Sequence, residues 1–356
     1  MDLHTAGHRR GIVAAPHRDA VAAGRLVFGE GGNAIEAMVA MAATIAAVCP
    51  HMNHVGGDAF WLLREPRGRI RAIMAAGPAG ARAQPELYRE HETIPPRGPL
   101  AALTVPGAIA GWRLALEAAQ ALGAKLPLDV LLAAAIRHAR DGYAVTASQA
   151  RFTTEKLDEL RDVPGFAETF LIDGKPPVAG ATLRQSALAG TLDHLAHAGL
   201  DDFYRGDVAR EVAADLDRVG SPVTREDLAR YRAALRDPLE AALSCGTLYN
   251  TAPPTQGIAS LVLLALFDRL GVKTAESFDH VHGLVEATKR AFRVRDRYVT
   301  DPDHLPYPPD RFLAANFLDA EAALIDRHRA APWSAPAAPG DTIWMGAADS
   351  SGLVVS

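Results

Sequence analysis

The sequence predicts an α+β protein, and three observations carry that prediction. Short β-rich runs bounded by turn residues stand early, at Gly11-Ile12-Val13-Ala14-Ala15 and from Asp58 to Arg64, and late, at Leu239 to Leu243, Thr247 to Asn250 and from Thr342 onward. The middle of the chain carries helical punctuation instead, with helices expected from Ala108 to Ala121, Leu128 to Arg140, Gln185 to His197 and Val208 to Arg218. Finally, 356 residues, 49% of them hydrophobic and 22% charged, can bury a sizeable core as one large domain or two ordinary ones. No internal repeat and no domain linker stands out.

Charge and cysteine content exclude several classes. The net charge is -5, and no Lys/Arg run exceeds a pair, so the basic patch of a nucleic-acid partner is missing. The first ten residues are polar and lack the apolar core and cleavage site of a signal peptide, which points to a cytoplasmic protein. Cys49 and Cys245 fit neither metal spacing nor a redox pair and are expected to be small buried hydrophobes. No cofactor is expected.

In chain order, the first strand leads to a helix over His17 to Phe28, which Gly29-Glu30-Gly31-Gly32 breaks. Asn33 with Glu36 three residues on makes a capping box, and the helix Ala34 to Val48 is so apolar that most of its faces must be buried. It is too short for a bilayer, which needs about 20 residues. The glycine turn resembles a phosphate cradle only superficially, because no Gly-Lys-Ser/Thr follows and it lies between two helices.

Pro50 ends that helix, and Gly56-Gly57 permit backbone conformations or close approaches that a Cβ forbids. His51, Asn53 and His54 converge on these glycines, with two readings open: they satisfy loop backbone groups, or they face a substrate. His-x-x-His without further ligands does not define a metal site. A hairpin at Glu65 to Arg69 leads to a strand from Ile70 to Ala75.

Further on, Asp173 to Pro177 is a turn, and the stretches Asp201 to Gly206 and Thr224 to Leu228 read as turn and helix-capping chemistry. Thr255 and Gln256, before a helix that runs to Leu270, suit capping or donation to a substrate. The long helix from Phe278 to Val294 presents Glu286, Lys289, Arg290 and Arg293, followed by Arg295, on a face expected to be solvated surface.

The most informative stretch is the last. A Pro/Ala connector, Ala331 to Gly340, precedes Asp341-Thr342, and from Thr342 the residues alternate toward two faces until Asp349-Ser350-Ser351-Gly352 supplies turn chemistry. Leu353-Val354-Val355 starts a second strand, so these residues read as a hairpin cut short. If the bond before Thr342 were broken, one residue would own a hydroxyl nucleophile and a free α-amine to serve as its base.

That stretch resembles the processing site of the gamma-glutamyltranspeptidase family of N-terminal nucleophile hydrolases, in which a Thr opens a strand running into Asp-x-x-Gly. Gly31-Gly32-Asn33-Ala34, Gly56-Gly57-Asp58-Ala59-Phe60-Trp61-Leu62 and Pro253-Pro254-Thr255-Gln256-Gly257 resemble further segments of the family. The resemblance implies a four-layer αββα sandwich, self-cleavage between Asp341 and Thr342, a large subunit of residues 1 to 341, and a small subunit of which 342 to 356 are the first strands. It also implies that the rest of the small subunit, with the oxyanion donors, lies beyond this chain. The two last strands are then expected to have unpaired edges.

One departure bears on substrate. Where transpeptidases of the family carry an Arg that holds the α-carboxylate of the gamma-glutamyl group, this chain has Met74, in Met74-Ala75-Ala76-Gly77-Pro78. Met cannot replace a bidentate guanidinium, and of the neighbours Arg71 belongs to a strand while Arg82 lies beyond the Pro. The motifs are most similar to the oxamate amidohydrolase subgroup, which implies hydrolysis of a small amide with an adjacent carboxylate. The residues expected to serve are Thr342 as nucleophile, with His51, Asn53, Gly56, Gly57 and Gln256 on the substrate and no metal. The partners expected are the amide and the chain's own small subunit, with no nucleic acid and no membrane; whether large/small pairs assemble further stays open. Gamma-glutamyl transfer and a catalytically inactive scaffold are the alternatives.

Overall fold

His17 opens the first helix by accepting a hydrogen bond from the Asp19 amide at 3.2 Å, and Gly31, at φ +84°, stops it. In this computed structural model, which describes residues 9–333 and 342–356, that helix is α1 (Arg18–Gly29) and follows strand β1 (Gly11–Ala14). The N-terminal stretch through residue 8, the connector from 334 and Asp341 lie outside the described residues. The described residues fall into two units, one drawn from residues 9–69, 73–234 and 342–356, the other from 70–72 and 235–333.

Helix α2 (Ala34–Val48) organises the first unit, and all fifteen of its residues are buried. The expected capping box is present: Asn33 Oδ1 accepts from the amides of Ile35 and Glu36 at 3.0 Å each, and Glu36 accepts from the Asn33 amide at 2.8 Å. Two further groups meet this helix start. The other Glu36 oxygen accepts from the amides of Lys125 and Leu126 at 2.8 and 2.6 Å, and the Asp349 carboxylate accepts from the Ala34 amide at 2.9 Å.

The chain continues through β2 (Ala59–Arg64) and β3 (Ile70–Ala75) to α3 (Ala108–Gln120) and α4 (Leu128–Asp141), which stops at Gly142 with φ +103°. A two-stranded ladder of β4 (Tyr143–Ala144) and β5 (Thr182–Leu183) brackets α5 (Ala147–Glu155), α6 (Leu157–Leu160) and α7 (Phe166–Phe170). Helices α8 (Ser186–Ala198), α9 (Asp202–Arg205), α10 (Asp207–Arg218) and α11 (Arg225–Arg230) follow, and β6 (Ala234–Arg236) leads to the second unit. The capping readings hold here. Asp202 accepts from the amides of Asp207 and Val208 at 3.2 and 2.8 Å, and Thr224 with Asp227 forms a capping box.

The second unit packs the hairpin of β7 (Leu239–Leu243) and β8 (Gly246–Asn250) against α12 (Gly257–Leu270), α13 (Phe278–Tyr298) and α14 (Ala315–Ala323). Two expectations are corrected in it. Cys245 sits in the turn of that hairpin and is exposed, whereas Cys49 is buried. The polar face of α13 is not simply solvated: Glu286 is 3% exposed, accepts from Lys289 Nζ at 2.6 Å and from the Ala331 amide, and Arg290 pairs with Glu321. A charged stripe reads as surface from spacing alone, but here the segments around 321 and 331 fold over it.

The last hairpin, β9 (Gly346–Asp349) and β10 (Val354–Val355), gives the largest correction. It is not left with unpaired edges. The strand order is β1-β9-β10-β2, continuing to β3, so the hairpin fills the middle of the sheet and both of its strands are paired on both sides, all antiparallel. The ladder also begins four residues later than the alternation suggested, and Thr342 to Met345 lie outside it.

Register then sorts the two sheet faces. Val13, Ala347, Val355 and Leu63 form one row across the strands and belong to the core beneath α2. Ile12, Ala348, Val354 and Arg64 form the next row, where Ile12 is 57% and Val354 39% exposed. The fold is α+β as expected. Of the αββα layers this unit supplies a helical layer and one sheet, whose second face is open and carries Ile12, Val354 and Arg64. Among the described residues, no helix is long and apolar enough to cross a membrane.

Glu36→Ala should destabilise the protein by about 3 kcal/mol, because three backbone donors lose a buried charged acceptor. Urea denaturation measures this, and Glu36→Gln, which keeps an acceptor oxygen, should lose less. A shift below about 0.5 kcal/mol, the size of an ordinary surface substitution, would contradict the role given to this carboxylate.

Candidate active site

The site grows from the C-terminal end of α2. Cys49 caps the helix, and its carbonyl accepts from the amides of Met52 and Asn53 at 3.1 and 3.2 Å, so the chain turns tightly after Pro50. At the far end of this loop the Gly57 carbonyl accepts from the amides of Gly107 and Ala108, both at 2.9 Å, which docks it on the first turn of α3. Gly107 is required there, since a Cβ would lie 2.0 Å from the Ala75 carbonyl oxygen. The loop is therefore held at both ends by backbone bonds.

A cavity of about 620 Å³ opens over this loop, within the first unit. Met38 and Ala42 of α2, Trp61 of β2 and Trp112 of α3 give it apolar walls, and His51, Asn53, His54, Gly57 and Asp58 line it from the loop. Thr342 to Met345 line it too, as does Ser356. The segment is steadied by Trp344, whose indole N–H donates to Ser356 Oγ at 2.8 Å, while Ser356 exchanges backbone bonds with Leu62 at 2.8 and 2.9 Å. Thr342 itself is exposed.

Among the expected site residues, the fold thus brings Thr342, His51, Asn53 and Gly57 to one cavity. Others stand differently. Gln256 belongs to the second unit, makes no capping bond with its side chain, and accepts from Arg295 Nη1 at 3.0 Å, while Thr255 Oγ1 accepts from the Gly257 amide at 3.1 Å. The Gly56 amide donates to His54 Nδ1 at 3.0 Å and the Gly57 amide to the His54 carbonyl at 3.2 Å, so neither is free to cradle an anion. Neither glycine has a positive φ, and a Cβ on either would keep at least 3.2 Å from its neighbours, so the pair is not demanded by this backbone. Met74 is half-buried in β3 and is not among the lining residues, and Arg82 is committed to Asp217 at 2.7 Å.

The electrostatics are those of a cavity without cations: among the described lining residues, none is Lys or Arg. His51 Nε2 lies 3.2 Å from Ser148 Oγ, and burial, followed by the field of His17, lowers its pKa. Burial also lowers His54, although its outer face stays accessible. Asn53 makes no side-chain hydrogen bond among the described residues, which leaves its amide to the cavity. Burial raises Asp58, with a hydrogen bond from the Gly77 amide in partial opposition. Sequence reasoning missed Asp58; the available signal was a charged residue placed directly before an apolar strand. Among the described residues, no cluster of three His, Cys, Asp or Glu side chains could hold a metal.

A fold with an exposed threonine, an amide side chain and histidines around one apolar cavity suits acyl-transfer chemistry, and comparison with known proteins is consistent with this. The sequence model of the gamma-glutamyltranspeptidase family matches residues 20–356, and the chain belongs to that family. It is 50% identical over 347 residues to an oxamate amidohydrolase proenzyme of Klebsiella pneumoniae subsp. pneumoniae, a match covering 97% of this chain and 66% of that one. It is 32% identical to a glutathione hydrolase-like proenzyme of Bacillus subtilis (strain 168), covering 97% and 65%. Among solved structures, cephalosporin acylase from Bacillus halodurans superposes with a TM-score of 0.88 at 29% identity, covering 98% of this chain and 65% of that one. The chain thus spans about two thirds of the length of these relatives.

Four histidines, His17, His51, His54 and His138, have pKa values lowered chiefly by burial. The unfolded chain therefore binds more protons near its ordinary histidine value of about 6.5, and stability falls as the pH drops through that value toward the folded ones. The urea midpoint should decrease between pH 7.5 and pH 5.5; an unchanged or rising midpoint would contradict these environments.

Proposed function

We propose that the complete protein is an amidohydrolase of small amides bearing an adjacent carboxylate, with oxamate as its substrate. In this reading it cleaves itself between Asp341 and Thr342, residues 1 to 341 form the large subunit, and residues 342 onward open the small one. The observation that carries the reading is that Thr342 lies outside the sheet ladder on the wall of a cavity that His51 and Asn53 also line. The open sheet face, with Ile12 and Val354 exposed on it, fits a second sheet supplied by the further length that the relatives have.

Once freed, the Thr342 α-amine accepts the hydroxyl proton as Oγ attacks the amide carbonyl. The C–N bond breaks, the proton passes to the departing nitrogen, and ammonia leaves. Water, activated by the same amine, then hydrolyses the ester and releases the acid. Developing negative charge on the carbonyl oxygen requires donors already in place. Asn53 is the available one in this cavity, and we take the others to lie in the small subunit. Among the described lining residues none is Lys or Arg, so the donors this wall offers the substrate carboxylate are neutral.

Gamma-glutamyl transfer is the second reading, favoured by the glutathione hydrolase-like relative. It is weakened by Met74 at the Arg position and by the missing cation: leaving a carboxylate without its buried guanidinium costs about 2–5 kcal/mol. The test uses the complete protein, with ammonia release from oxamate measured beside chromophore release from a gamma-glutamyl anilide. Wild type should show a new N-terminus at Thr342 and prefer oxamate, and Thr342→Ala should stay uncut and inactive. Efficient anilide cleavage with none of oxamate would restore the transpeptidase reading, and a cut elsewhere would displace Thr342.

A further inference from the structure

Asp58 is an exposed acidic residue of the cavity lining. It lines the Thr342 cavity, forms no ion pair among the described residues, and shares that wall with no Lys or Arg. A carboxylate has roughly four acceptor positions, and the Gly77 backbone N–H bears on it only by opposing the upward shift in its pKa. The tyrosines within reach of its field do not supply the remainder. Tyr204 Oη donates to the Pro106 carbonyl at 2.8 Å and accepts from the Ala110 amide at 3.0 Å, while the buried Tyr231 hydroxyl has no hydrogen-bond partner among the described residues. Burial raises Asp58, the direction expected of a carboxylate short of donors.

What such a group fits is a ligand that brings its own N–H donors. A primary amide does so, and the other half of its hydrogen-bonding pattern is present as well, because the free Asn53 amide can donate to the carbonyl oxygen. We infer that Asp58 is the residue that makes this cavity selective for primary amides, accepting an N–H from the substrate –NH2 group and thereby directing the leaving nitrogen. The inference rests on acyl transfer at Thr342. Asp58 gains no proton in that step: the Oγ–C bond forms, the C–N bond breaks, and the hydroxyl proton reaches the nitrogen through the α-amine. The same contact orients an anionic substrate, since with the amide nitrogen at Asp58 the substrate carboxylate points away from it.

The alternative is that Asp58 only ties the loop to the segment after β3 through Gly77, and this predicts a stability effect without a change in selectivity. The test measures kcat/KM of the complete, self-cleaved protein for oxamate, for N-methyloxamate, for succinamate as a second primary amide, and for a gamma-glutamyl anilide. Asp58→Ala should lower the primary-amide values about 10- to 100-fold, the size of a lost bond to a charged acceptor. It should also reduce the preference for oxamate over N-methyloxamate, while self-cleavage and the thermal midpoint stay as in wild type. Asp58→Asn, which keeps an acceptor oxygen, should lie between. If oxamate is a poor substrate but succinamate is turned over with the same dependence on Asp58, the inference stands and oxamate falls as the substrate. Fast oxamate turnover with selectivity unchanged in Asp58→Ala, or loss of every substrate together with stability, overturns the inference and leaves the amidohydrolase reading. Cleavage of the anilide with no primary amide turned over overturns both.

Discussion

The complete burial of α2, and the way its first turn is satisfied, is the constraint on which the rest of this molecule depends. A helix start leaves backbone donors without partners, and in a helix with no exposed residue water cannot supply them. Asn33 and Glu36 meet part of that need locally. Asp349, 315 residues further on, meets another part by accepting from Ala34. That bond joins the turn of the last hairpin to the helix that forms the floor of the core. It helps to explain why β9 and β10 lie between β1 and β2 and not at an edge. The other end of α2 continues directly into the loop around Asn53, and its residues Met38 and Ala42 underlie the cavity. One helix therefore sets both the loop and the segment that carries Thr342.

The cavity that results is mostly apolar, with few polar groups, the usual composition of a small-molecule site. Neutral histidines, a free Asn amide, one unpaired carboxylate and a threonine hydroxyl make a hydrogen-bonding surface and not a charged clamp. On the proposed reading, such a surface recognises an amide by its own donors and acceptor. The relatives named above are called proenzymes, in keeping with the proposed cleavage.

Much of the secondary structure was legible in the sequence because its determinants are local. The capping box at Asn33, the stop at Gly142 and the hairpin before Gly246 each depend on a few adjacent residues. What escaped depends on distant partners. The amides of Lys125 and Leu126 reach Glu36 from about ninety residues away, and no local pattern announces that. The burial of Glu286 needs the backbone at Ala331, and the central place of the last hairpin needs β1 and β2 on either side. At the site, Thr342, His51 and Asn53 stood out by residue type and motif. Gly56 and Gly57 suggested free backbone donors that His54 in fact occupies. Asp58 was passed over because spacing does not show that, among the described lining residues, no Lys or Arg accompanies it.

The central claim is that the Thr342 hydroxyl is the atom that takes the acyl group. Rapid acid quenching of the complete protein during turnover of oxamate, followed by peptide mass spectrometry, tests it most directly. The account predicts the mass of an oxalyl group on the peptide that begins at Thr342, and none in a protein whose Thr342 is replaced by alanine. An acyl group carried by any other residue, or turnover that persists without Thr342, would contradict it.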